Sequence, residues 1–127
     1  MTAKLSYILQ SNTAKEAAMK MEQDNSSALI VLDSNEKPVG VVTHRDLVRS
    51  SSVEDVPCDR ILVQDIMSTP IVTIDPYSPI ETAADVMKQN NVRHLLVVDT
   101  DRPNEPLGIL GSRDFALYIE NEHLEEK

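Results

Sequence analysis

Gly40-Val-Val-Thr43-His-Arg-Asp46 and Gly108-Ile-Leu-Gly111-Ser-Arg-Asp114 are one phrase written twice, 68 positions apart. Working outward from it, Leu29-Ile-Val-Leu-Asp33 returns 66 positions later as Leu95-Leu-Val-Val-Asp99. Further upstream, Ala14, Ala17, Ala18 and Met21 return at that same spacing as Ile80, Ala83, Ala84 and Met87. The two-residue difference falls in a turn, where Asp101-Arg-Pro-Asn-Glu-Pro106 is longer than its first counterpart. Three matched blocks in one order define an internal repeat, which fixes the architecture before any finer reading. Duplication implies a pseudo-symmetric pair, and a pair has a seam where a ligand can sit.

Each copy carries the same run of elements. Leu5-Ser-Tyr-Ile-Leu9 predicts a short strand. Thr13 with Glu16 three positions on predicts a capping box at a helix start. The apolar residues at 14, 17, 18 and 21 then follow the spacing of a helix with one buried face. Ala28 to Leu32 reads as a buried strand, Asp33 to Pro38 as a turn and Val39 to Val42 as the returning strand. A second helix begins at Thr43. In the second copy, Ile71 to Ile74, Ile80 to Met87, Leu95 to Val98 and Leu107 to Leu110 repeat the series. A last helix from Ser112 carries Phe115, Leu117, Tyr118 and Ile119. The predicted division is repeat 1 over 1–50, connector over 51–64, repeat 2 over 65–120 and an acidic tail over 121–127.

At 127 residues the two halves, each marginal alone, are expected to share one core. With one Phe, three Tyr and no Trp, that core must be filled by aliphatic residues, and Met19, Met21, Met67 and Met87 are expected to join it. The net charge of −9 argues against nucleic acid, because neutralising phosphates needs an excess of Lys and Arg. Cys58 is the single cysteine, so no internal disulfide or thiolate metal cluster is expected. No stretch approaches the roughly 18 apolar residues of a membrane helix, and the N-terminus lacks an apolar signal core. A cytoplasmic protein is expected.

The second copy, Arg93-His-Leu-Leu-Val-Val-Asp99, a turn, then Gly-apolar-x-x-x-x-Asp, resembles the cystathionine-β-synthase (CBS) domain. The segment Asp65-Ile-Met-Ser-Thr-Pro-Ile-Val-Thr-Ile-Asp-Pro76 resembles the start of such domains. The first copy lacks that Met-Ser-Thr opening but carries the fuller Gly-apolar-apolar-Thr-x-x-Asp ending. The resemblance covers nearly the whole chain. It implies an α/β fold of two pseudo-symmetric β-α-β-β-α CBS repeats packed into one CBS-pair domain. It further implies a regulatory, non-catalytic module with adenosine-containing ligands in the cleft between repeats, and pairing of two chains.

Carried onto this sequence, the resemblance gives Asp46 the ribose hydroxyls, with Thr43 beside it. An ionised carboxylate is chemically suited to that, accepting charge-assisted hydrogen bonds from a diol. Thr43 and Asp46 also read as a plain capping box, and both readings hold together. His44 and Arg45 follow at the helix start, where free N–H groups favour phosphate. In the second copy Asp114 is retained, Gly111 replaces Thr43, and Ser112 stands one place later, so this site ranks below the first. Arg93 and His94, which stand where the first copy has Ser27 and Ala28, are candidates for phosphate. Thr69, Ile71 and Val72 lie where the family's initial strand lines the base pocket.

The expected function is a ligand-sensing module, most simply a homodimer, for AMP, ADP, ATP or another adenosyl compound, signalling to a separate effector protein. No cofactor is required. A purely structural dimerisation module is the alternative. Three glycines give no phosphate-cradling loop, and no nucleophile stands with a base, so an enzyme is not expected.

Overall fold

Thr13 starts the first helix as the capping box requires. Its hydroxyl accepts the Glu16 N–H at 3.1 Å, and the Glu16 carboxylate accepts the Thr13 N–H at 3.0 Å. The computed structural model describes residues 5–53, 56–103 and 105–115. These fall into two compact units, one of Leu5–Ile71 and one beginning at Val72.

The first unit runs β1 (Tyr7–Leu9), α1 (Ala14–Asp24), β2 (Ala28–Leu32), β3 (Pro38–Thr43), α2 (His44–Val53) and α3 (Val63–Ile66). β1 lies parallel to β2, and β3 returns antiparallel to it, so β2 is central. α1 ends at Asn25, whose left-handed φ of 50° lets its N–H reach back to the last carbonyls. The helix lays Ala17 and Met21 on Leu29, Val31 and Val42 of the sheet. Met19 departs from its expected place. It is 61% exposed, because two residues from Ala17 is a turn of about 200° around the helix. Met67 packs only partly buried against this core.

The segment before the second repeat belongs to this unit. Val63 is fully buried in its core. The Ile61 carbonyl accepts from the Ala14 N–H at 2.7 Å, and the Val63 N–H donates to the Asn12 carbonyl at 2.8 Å. Ser68 then pairs with Val41 through both backbone groups, closing the outer edge of β3. Gly40 makes this approach possible. A Cβ there would stand 2.7 Å from the Ser68 carbonyl oxygen and 3.1 Å from the Thr69 methyl.

The second unit repeats the order: β4 (Thr73–Ile74), α4 (Ile80–Asn90), β5 (His94–Val97), β6 (Gly108–Gly111), then helix again over 112–115. Its sheet has the same topology, with β5 central. Ile74, Ala83, Met87, Leu95 and Val97 form its core, with Val72, Leu110 and Phe115 packed beside them. The α/β duplication expected from the sequence is therefore present. β4 is shorter than predicted, although the Val72 carbonyl still accepts from the Leu96 N–H at 2.9 Å. Leu117, Tyr118, Ile119 and the acidic tail lie outside the described residues.

Candidate ligand site at the helix heads

β3 passes into α2 with no intervening turn, which sets Thr43 at the end of the strand and Asp46 in the first turn of the helix. One carboxylate oxygen, Oδ2, accepts from the Thr43 N–H at 2.8 Å and from the Thr43 hydroxyl at 3.1 Å. The Asp46 N–H returns to the Thr43 hydroxyl at 3.3 Å. This is a capping box with Asp in place of Glu. Both side chains are half-buried, while His44 and Arg45 are exposed beside them. All of the Asp46 side-chain bonds in the described residues fall on Oδ2, which leaves Oδ1 able to accept from a ligand.

The second helix head keeps the same frame. The Gly111 N–H donates to Asp114 Oδ2 at 2.8 Å. The Ser112 N–H donates to the Arg93 carbonyl at 3.2 Å, as the His44 N–H does to the Ser27 carbonyl at 3.2 Å. Partial burial pushes the Asp114 carboxyl up. Its hydrogen bonds, that from Gly111 among them, and nearby positive charge including His94 more than reverse this and leave it below the ordinary value. Arg93, Ser112 and Arg113 are exposed and His94 is half-buried.

One difference was legible in the repeat but is not a motif. Ala28 faces Thr43 across β2 and β3, whereas His94 faces Gly111 across β5 and β6. A small residue opposite a larger one has become a large residue opposite none. A Cβ on Gly111 would stand 3.2 Å from His94 Cδ2 and 3.4 Å from Nε2.

The first unit thus holds Thr43, His44, Arg45, Asp46, Thr69 and Ile71, and the second holds Val72, Arg93, His94, Ser112 and Asp114. Thr69 is exposed and lies against Gly40, three residues of strand from Thr43, about 10 Å. Ile71 is half-buried, and Val72 packs on the second core. A shallow hollow of about 360 Å³, which no sequence motif pointed to, lies elsewhere on the first unit, lined by Tyr7, Leu9, Asn12, Glu16, Met19 and Lys20. Cys58 is exposed and free. Among the described residues no cluster of His, Cys, Asp and Glu could hold a metal, and no helix is long and apolar enough to cross a membrane.

The comparisons with known proteins agree with this fold. A 17.7 kDa protein of Acidianus ambivalens is 32% identical over 120 residues, spanning 92% of this chain and 69% of that one. The chain spans about half the length of further curated relatives that it matches. The crystal structure of a CBS domain, 29% identical, superposes with a TM-score of 0.74 over 92% of this chain and 89% of that one. A CBS domain protein from Pyrobaculum aerophilum complexed with AMP has the same fold. It is 23% identical, with a TM-score of 0.73 over 90% of this chain and 85% of that one. The CBS domain family matches twice, over residues 1–53 and 63–121, and the chain belongs to that family as a tandem pair.

Proposed function

We propose that this chain is a regulatory module that binds an adenosine-containing ligand, such as AMP, ADP or ATP, at the head of α2. The observation that carries this reading is the division of labour in the Asp46 carboxylate. Oδ2 serves the helix cap and Oδ1 remains for the ligand. A ribose diol offers two hydroxyl donors to such an acceptor, and a hydrogen bond to a charged group contributes about 1.5–3 kcal/mol. Phosphate would then meet His44, Arg45 and the free N–H groups of the first turn. Thr69 stands against Gly40 of β3, about 10 Å from Thr43, a span that base and ribose can bridge, and Ile71 follows it by two residues. The AMP complex of a protein with the same fold supports the ligand class.

In this reading the chain needs no cofactor and acts in the cytoplasm as a homodimer. Ligand favours one arrangement of the module over another, and a separate effector protein reads the difference. The head built on Asp114, with Arg93, His94 and Ser112, ranks second because it lacks the hydroxyl. A structural dimerisation module without nucleotide is the rival, favoured by one fact: the Thr43–Asp46 box is complete without any ligand.

Calorimetric titration of AMP, ADP and ATP into wild-type protein and Asp46→Asn separates the two. The amide keeps one oxygen for the cap but presents a donor where the ligand needs an acceptor. A tenfold or greater loss of affinity with little change in thermal stability is expected. Wild-type protein that takes up none of the three hands the function to the rival.

A further inference from the structure

We propose that the backbone bridge between Ser68 and Val41 sets the base specificity of the first helix head, with Ser68 as its positioning residue. This rests on the reading of Asp46 as a ligand carboxylate, and it divides the site into two ends with separate supports. At the ribose end, Asp46 Oδ2 accepts from the Thr43 N–H at 2.8 Å and from the Thr43 hydroxyl at 3.1 Å. The His44 N–H ties the same helix head to the Ser27 carbonyl at 3.2 Å. None of these bonds involves residues 67–69.

The base end depends on how the 67–69 segment sits against β3. The Val41 N–H donates to the Ser68 carbonyl at 3.2 Å, and the Ser68 N–H returns to the Val41 carbonyl at 2.9 Å. β3 is an edge strand of its sheet, so the bridge occupies backbone groups that β2 does not use. Gly40 admits the segment, since a Cβ there would meet the Ser68 carbonyl oxygen, Met67 Sδ and the Thr69 methyl at 2.7–3.1 Å. Ser68 and Thr69 are exposed, and Thr69 makes no backbone-to-backbone bond of its own among the described residues. The bridge is therefore what holds Thr69 against Gly40, three residues of strand from Thr43. An adenine edge offers a donor beside an acceptor, and an extended backbone with an unpaired N–H and C=O matches it.

The test is calorimetric titration of the full chain with AMP and with ribose 5-phosphate, which keeps the diol and the phosphate but lacks the base. Wild-type protein binds AMP about tenfold more tightly or better. Ser68→Pro removes the N–H of the bridge and brings AMP down to the affinity of ribose 5-phosphate, which itself stays unchanged. Ser68→Ala, which keeps that N–H, behaves as wild type. Gly40→Ala pushes the segment off β3 from the other side, repeats the Ser68→Pro result, and replaces it if thermal unfolding shows the proline variant unfolded. Asp46→Asn, by contrast, weakens both ligands by the same factor. An AMP preference kept in either folded bridge variant, an equal loss of both ligands there, or no preference in wild type would each overturn the proposal. Failure of the Asp46 reading is seen separately, as no binding to wild type or as affinities that Asp46→Asn leaves unchanged, and it takes the proposal with it.

Discussion

The two repeats agree wherever the fold needs them to and diverge only where it does not. Both place a β-α-β-β series around an aliphatic core, and both fix an Asp at the head of the final helix by the same 2.8 Å bond from the strand's last N–H. The hydroxyl of Thr43 has no counterpart at Gly111. The second repeat folds without it, so that hydroxyl, which caps α2 in the first repeat, is one the fold uses but does not require. The same reasoning applies to surface residues. At positions equivalent to Tyr7, Leu9 and Met19, all exposed, the second repeat has Thr73, Asp75 and Asp85. A duplicated chain carries its own control, and differences between copies separate what packing demands from what it merely permits.

The comparison breaks most readily at the cores. Met21 and Met87 are equivalent, buried, and seated on the central strand of their own sheets. Truncating either to Ala removes about 2–5 kcal/mol, measured by denaturant unfolding. Similar losses in Met21→Ala and Met87→Ala mean that the repeats share the burden of stability. A large loss from one and almost none from the other would mean that only one core holds the molecule together.

The two tight glycines sharpen it next. At Gly40 a Cβ meets a backbone carbonyl at 2.7 Å, and backbone cannot step aside. Gly40→Ala therefore costs about 1–3 kcal/mol through displacement of the Met67-Ser68-Thr69 segment. At Gly111 the Cβ meets an imidazole at 3.2 Å, which can rotate by the few tenths of an ångström required. Gly111→Ala should cost under about 1 kcal/mol. Thermal melts of the two variants side by side check the ranking, and a costlier Gly111→Ala would mean that His94 is held rigidly.

Much of this was legible in the sequence, and the reasons are physical. Periodicity exposed the core because burial at 14, 17 and 21 follows directly from helix geometry. Capping chemistry exposed the Thr13–Glu16 and Thr43–Asp46 boxes because the bonded partners lie three residues apart. Met19 misled because methionine is apolar wherever it sits, and only its angle around the helix decides its burial. The seating of residues 61–68 on the first unit was not legible. Val63 and Ser68 find partners in Asn12 and Val41, about fifty and under thirty positions away, and no local pattern encodes such contacts. The contact of His94 with Gly111 needed the strand register, although the repeat alignment already held its signature in Ala28 and Thr43.

The smallest effect concerns acid, and it contrasts a cap with a helix head. Glu16 is held below the ordinary carboxylate range by the Thr13 N–H first, then by the Asn12 side chain and the Thr13 hydroxyl. Asp114 is lowered as well, against the pull of its own partial burial. A carboxylate whose pKa falls on folding stabilises the native state above its unfolded value, near 4. That contribution disappears as pH drops through the lowered folded value, where both states bind the proton. Glu16→Gln and Asp114→Asn should therefore melt below wild type at neutral pH, with the gap closing as the medium is acidified below about 4. Glu16 is the fully solvated member of the pair, so added salt should shrink its gap more than that of half-buried Asp114. Melting temperatures taken across pH at two salt concentrations decide the matter. A gap that widens in acid would mean that these carboxylates are stabilised by protonation, the reverse of what their hydrogen bonds require.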